Sequence, residues 1–133
     1  MIDISNELYS EIAAGVRAQF PAVFITGTAN PAPPSFPTAS IAEISNTTYT
    51  RTLDSSNREN HARLMWEINV YSNLASGARA QCREIMRVID ELFIFRNFTR
   101  SFSEFVGNAD RGVTRLAARY TAIVDREKRL YRG

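Results

Sequence analysis

Ala62-Arg-Leu-Met-Trp-Glu-Ile-Asn-Val-Tyr-Ser72 decides the fold. Leu64, Trp66, Ile68 and Val70 alternate with Arg63, Glu67 and Asn69, while Met65 and Tyr71 soften the second face. A period of two in a run rich in β-branched and aromatic residues predicts a half-buried strand. Ser72-Asn-Leu-Ala-Ser-Gly77 then punctuates the chain, and from Ala78 the period changes. Cys82, Ile85, Met86, Ile89, Leu92 and Phe93 fall on one helical stripe, with Arg79, Arg83, Glu84, Arg87, Asp90 and Glu91 opposite. One strand followed by one long amphipathic helix is the frame on which the rest assembles.

Upstream, Ile4, Leu8, Ile12, Val16 and Phe20 recur every fourth residue and predict a helix from Asp3 or Ser5 to about Gln19. Ser5 is the expected N-cap, Glu7 suits the first turn, Gly15 weakens the middle, and Pro21 stops the helix. Ala22–Thr26 is a short strand candidate. Gly27–Pro37 holds one glycine and four prolines in eleven residues and is expected to be an extended connector. Ala39–Ser45 reads as the next strand, and Asn46–Asn60 as a polar hairpin arm or loop.

Downstream, Phe98–Phe105 is a strand expected to place Phe98 and Phe102 on one face, and Val106–Gly112 is a turn cluster. In the last strand, Val113–Val124, Leu116, Ala118, Tyr120, Ala122 and Val124 face one way. Arg115, Ala117, Arg119, Thr121 and Ile123 face the other. The tail from Asp125 is charged and expected to fray. The order α-β-β-β-α-β-β predicts a single α+β domain over residues 1–133. Its sheet is mostly antiparallel, with about four to five strands and both helices on one face.

Composition narrows the function more by exclusion than by signature. No apolar run approaches the roughly 20 residues of a membrane span. The first residues lack the pattern of a signal peptide, and a single cysteine fits a reducing compartment, so synthesis in the cytoplasm is expected. Residues 1–60 carry three Arg against six acids, a balance of −3, and residues 61–133 carry thirteen Lys or Arg against eight acids, +5. This is too mild for a nucleic-acid binder and lacks interleaved aromatic and basic residues. The one histidine, His61, has no second His for a metal site or triad and reads as a solvated loop residue. Cys82 reads as a buried, inert thiol. Asp90-Glu91 and the Glu7/Glu11 pair read as solvated helix faces. Asn46-Thr-Thr48 and Asn97-Phe-Thr99 match the glycosylation pattern but lack a secretory context. No catalytic, cofactor or metal residues are assigned.

One surface feature stands out. Arg115 and Arg119 line one face of the last strand, with Arg111 just before it. They are expected either to pair across strands with Glu67 or Glu43 or to form a partner surface with Tyr49, Tyr71 and Met65.

Several phrases share an order and spacing with a known family. They are Met1-Ile-Asp-Ile-Ser-Asn-Glu7, Phe36-Pro-Thr-Ala-Ser-Ile41, Leu53-Asp-Ser-Ser56 and Glu67-Ile-Asn-Val-Tyr-Ser-Asn73. They continue with Gln81-Cys-Arg-Glu-Ile-Met86, Val88-Ile-Asp90, Asn97-Phe-Thr-Arg100 and Arg115-Leu-Ala-Ala-Arg-Tyr-Thr-Ala122. Taken together the chain resembles the tail terminator (tail completion, minor tail) proteins of tailed phages and prophages. The strand Glu67–Asn73 and the Arg-x-x-x-Arg-Tyr strand carry most of the likeness, and the Pro31–Pro37 stretch is idiosyncratic. The resemblance implies a hexameric ring that caps the tail tube, stops its polymerisation and offers a joining surface to head-closure or neck proteins. It implies tube protein and further copies of the chain as partners, DNA only passing through the lumen, no membrane, no enzyme activity and no cofactor. It also implies a place in the virion at the head–tail junction. A closed ring needs two different complementary patches per subunit, which an acidic first part and a basic second part can supply. The contact residues expected on this reading are Tyr49, Arg51 and Arg58 in the polar loop, Arg111, Arg115 and Arg119, and Arg126, Arg129 and Arg132 in the tail. A head-closure or adaptor protein is the alternative within the same particle, and a small ligand-binding α+β domain is a weaker one.

Overall fold

The structure, a computed structural model, describes residues 3–27, 33, 35–48, 61–107 and 112–125. The elements follow the expected order: α1 (Ser5–Gln19), β1 (Phe24–Thr26), β2 (Thr38–Thr48), β3 (His61–Ser72), α2 (Ala78–Phe95), β4 (Thr99–Val106) and β5 (Thr114–Asp125). The strands form one five-stranded sheet in the order β1-β2-β3-β5-β4. β3 lies at its centre, paired antiparallel with β2 on one side and β5 on the other. β4 pairs antiparallel with β5, and only the short edge strand β1 runs parallel to its neighbour. The fold is therefore α+β with a mixed, mostly antiparallel sheet.

The apolar parity of β3 meets both helices. Leu64, Trp66, Ile68 and Val70 join Ile41 of β2 and Leu116, Ala118 and Tyr120 of β5 in one core with Leu8, Ile12 and Val16 of α1 and Cys82, Ile85, Ile89 and Phe93 of α2. Each large side chain buried here contributes roughly 1.5–3 kcal/mol. Phe93 anchors the aromatic centre: it stacks on Tyr120 at 4.5 Å, meets Phe98 edge-on at 5.2 Å and lies 6.2 Å from Trp66. A Cβ at Gly15 would stand 2.6 Å from Leu92 Cδ1, so the glycine that weakens α1 locally is what lets α1 approach α2. Glu11, expected to be merely solvated, ion-pairs with Arg96 at 2.8 Å and ties the two helices together.

Several expectations are corrected. Ser5 is the first helical residue and not the cap; Ile4 caps without a side-chain bond, and Asp3 Oδ1 accepts the Ser5 N–H at 2.8 Å. β1 is shorter than Ala22–Thr26. β2 runs on to Thr48, because Asn46, Thr47 and Thr48 still find ladder partners in Leu64, Arg63 and Ala62. His61 is no loop residue: it opens β3 opposite Asp125 and is half-buried. Phe98 and Phe102 do not share a face. The β4–β5 register shifts between Arg100 and Phe102, so Phe98 enters the core while Phe102 pairs with Arg119 on the other side.

The exit from α2 explains Phe98. Asn97 takes the left-handed conformation at φ 64°. Its N–H donates to Ile94 O at 2.8 Å and the Phe98 N–H donates to Phe93 O at 2.9 Å, a Schellman ending. The Phe93–Phe98 ring contact is the hydrophobic clasp that accompanies it.

Candidate functional site

The sheet face away from the helices carries the residues singled out by sequence. Glu67 stands directly opposite Arg119 in the β3–β5 ladder. Its carboxylate lies 3.4 Å from Arg119 Nη2 and 3.8 Å from Arg115 Nη2. Arg115 Nε donates to Asn69 Oδ1 at 2.8 Å, and Asn69 Nδ2 donates to Glu67 Oε1 at 3.3 Å. The Arg119 guanidinium also lies 5.4 Å over the Phe102 ring, and Arg115 lies 6.0 Å over Tyr71. Two guanidiniums thus share one carboxylate and are held in fixed positions. Such partly exposed pairs contribute at most about 1 kcal/mol each to stability, so the arrangement does more for orientation than for folding.

The expected cross-strand partner Glu67 is in place, but Glu43 is not. Glu43 pairs with Trp66 and so projects from the helix-covered face. Tyr71, expected to be exposed, is buried at 1%. Asn69, Thr38, Ser40 and Ala117 are buried with it on the same sheet face, so this face has a closed end near Tyr71. Its open end holds exposed Arg63 and Arg119 and half-buried Met65 and Phe102. Of the nine expected contact residues, Arg115 and Arg119 are brought together; Tyr49, Arg51, Arg58, Arg111, Arg126, Arg129 and Arg132 lie outside the described residues.

The helix side holds two arrangements that sequence reasoning missed. Asp90 Oδ1 accepts both the Tyr120 hydroxyl at 2.7 Å and Arg100 Nη1 at 3.1 Å, so it is no solvated carboxylate, whereas Glu91 is exposed. Burial, then the Asp90 contact, pushes the Tyr120 phenol upward, which keeps it protonated and makes this cluster a brace between α2, β4 and β5.

The second is a cleft of about 240 Å³ where the start of α1 faces β2 and β3, lined by Ser5, Asn6, Tyr9, Gly27, Glu43 and Trp66 among others. Glu43 Oε1 and Trp66 Nε1 are both buried here without a hydrogen-bond partner. Leaving such a group unpaired costs about 1–3 kcal/mol. Burial, and secondarily the charge of Asp3, holds the Glu43 carboxyl above the usual range. One signal was readable in advance: Glu43 shares the parity of Ala39 and Ile41, an acid on an apolar stripe. The β2–β3 register shift between Glu43 and Ser45 falls right after it.

Cys82 behaves as expected. It has no exposure, its thiol donates to Val70 O at 3.5 Å and lies 3.7 Å from Thr114 O, and burial pushes it up to about 11. Among the described residues, no group of three or more His, Cys, Asp and Glu is placed to hold a metal, and no helix is long and apolar enough to cross a membrane. Comparison with protein-family models and with curated proteins gives no match to this chain.

Proposed function

We propose that this chain is a structural, non-catalytic virion protein: a tail terminator whose copies form a hexameric ring on the end of a phage tail tube. The ring stops tube polymerisation and presents the surface that head-closure or neck proteins join, with DNA passing only through its lumen. The protein is made in the host bacterial cytoplasm and ends in the virion at the head–tail junction.

The observation that carries this reading is the ordered arginine face. Glu67 and Asn69 fix Arg115 and Arg119 on the sheet side that no helix of the described residues covers. The exposed half of that pair, Arg119, keeps 44% of its side chain open beside Phe102 and near Met65. Arginine, methionine and aromatic groups together are the mix enriched at protein interfaces. The resemblance of the ordered sequence phrases to tail terminators supplies the particular assembly.

The test is electron microscopy of particles made without this gene. Overlong tubes beside unattached, filled heads are expected. Tails of normal length beside empty, leaking heads would move the protein to head closure. Normal infectious particles would overturn the assembly reading altogether.

A further inference from the structure

The outer flank of α2 carries a positive row that the sheet-face site does not use. Arg79, Arg83 and Arg87 recur every fourth residue, so their side chains leave one side of the helix about 6 Å apart. All three are exposed. The guanidiniums of Arg79 and Arg83 lie 4.4 and 5.1 Å from the Phe105 ring centroid, which holds two like charges at one place on β4. Among the described residues, neither Glu84 and Glu91 of the same helix nor any other carboxylate ion-pairs with the row. Asp90, three residues beyond Arg87, is already taken by Arg100 at 3.1 Å. Like charges one turn apart repel, so the row favours an anionic partner.

The spacing selects the chemistry of that partner. The row spans only about 12 Å, too short for the phosphate track of a nucleic-acid site, and Asp90 puts a negative charge at its end. An acidic helix face matches it, because carboxylates one turn apart step by the same distance of about 6 Å. The chain has such a face. Glu7 and Glu11 stand one turn apart on α1, and Asp3 precedes its first turn. Asp3 and Glu7 are exposed, and the Glu11 side chain keeps 37% of its surface open. Glu11 already meets Arg96, and Asp3 already accepts the Ser5 N–H. A carboxylate offers about four acceptor positions, so each can take a further guanidinium. Within one subunit the two rows are out of reach of each other. The Glu11–Arg96 contact puts the acidic end of α1 beside the C-terminal end of α2, about 13 Å along the axis from Arg87.

We propose that the arginine row of α2 binds the acidic start of α1 on a second copy of the chain. The two surfaces differ, so the contact is head-to-tail and leaves one row open at each end of any string of copies. Such a string closes into a ring or runs on as a filament. The proposal rests on the ring reading only for that closure, and it names the contact between neighbouring copies.

The experiment reverses each row in the full chain. One variant carries Asp3→Lys and Glu7→Lys, the other Arg83→Glu and Arg87→Glu; Glu11 stays, because it ties α1 to α2. Thermal unfolding confirms that both are folded. Should a reversal unfold the chain, Asp3→Asn with Glu7→Gln and Arg83→Gln with Arg87→Gln replace it, and the mixture of those two forms pairs and nothing larger. Sedimentation at about 0.05 M salt, where screening is weak, follows association. The parent is expected to associate as its concentration rises. Each reversed variant alone should associate at least about tenfold more weakly, since two attractions become repulsions. An equimolar mixture of the two should associate as the parent does, because each reversed row then meets the opposite charge on the other variant. A parent that stays monomeric, variants that associate like the parent, or a mixture no better than either alone would overturn the proposal. So would an arginine variant that loses binding to a short DNA duplex but keeps its self-association, which would give the row to phosphates. Charge-dependent association that never closes into a hexamer would keep this contact and sink the ring reading instead.

Discussion

At the scale of single residues, burial sets how the core responds to alkali. Cys82 sits between the backbone of β3 and β5, and its thiol is displaced from 9.0 to about 11. Because the folded value lies above the unfolded one, the stabilisation is complete below about pH 9 and is lost as pH rises toward 11. At about 1.4 kcal/mol per unit, the loss reaches roughly 2–3 kcal/mol. Cys82→Ala should start less stable by about 1 kcal/mol, from the small void, but should decline less steeply in that window. Denaturant unfolding at several pH values for both proteins checks this, and parallel profiles would refute it; Tyr120 titrates in both and cancels. The burial of Cys82 was legible because of its place on the apolar stripe of α2. The role of Asp90 was not. Its partners Tyr120 and Arg100 come from β5 and β4, and nothing in the helix sequence announces which strands will pass beneath it.

At the scale of elements, the crossing of α1 and α2 turns on Gly15. A bare Cβ there already falls 2.6 Å from Leu92 Cδ1. Gly15→Ile adds a branched side chain at that contact, so it should lower stability by about 1–3 kcal/mol although isoleucine is the better helix former. Chemical denaturation measures it, and a variant as stable as the parent would show that the helices are free to separate. Sequence reading placed every element in order because α2 and β3 have clean periods of 3.6 and 2. It failed on facing where the ladder slips. Past the shift between Arg100 and Phe102, counting by two gives the wrong side, whereas Glu43 precedes the slip in its own strand and the alternation of Ala39, Ile41 and Glu43 already put it on the Trp66 face. An inserted residue changes parity without leaving a mark in composition. The Schellman turn at Asn97 was equally silent, since asparagine after a helix suits a cap or a loop alike.

At the scale of the whole molecule, the ring proposal makes charge the organising force between subunits. Arg119→Ala should leave unfolding within about 1 kcal/mol of the parent, because its ion pair with Glu67 is partly exposed, while association between copies or with tube protein falls at least tenfold. Raising the salt from about 0.05 to about 0.5 M should weaken assembly of the parent in the same direction, as the screening length shrinks. Sedimentation of both proteins at both salts decides it; assembly indifferent to salt and to Arg119 would remove the arginine face from the interface. The α+β class was legible because alternation and helical stripes are local properties, whereas the cleft was not, because it is made by α1 closing over two strands far from it in sequence. The sheet order has one more consequence. β5 is the latest of the described strands in the chain, yet it sits between β3 and β4. During synthesis, one flank of β3 therefore stays bare until β5 has left the ribosome, and Phe93 waits for Tyr120 to complete its stack. β2, β3 and α2 emerge first, but their core closes only when β5 arrives, making the emergence of β5 the step that commits the chain to a native subunit or to off-pathway pairing.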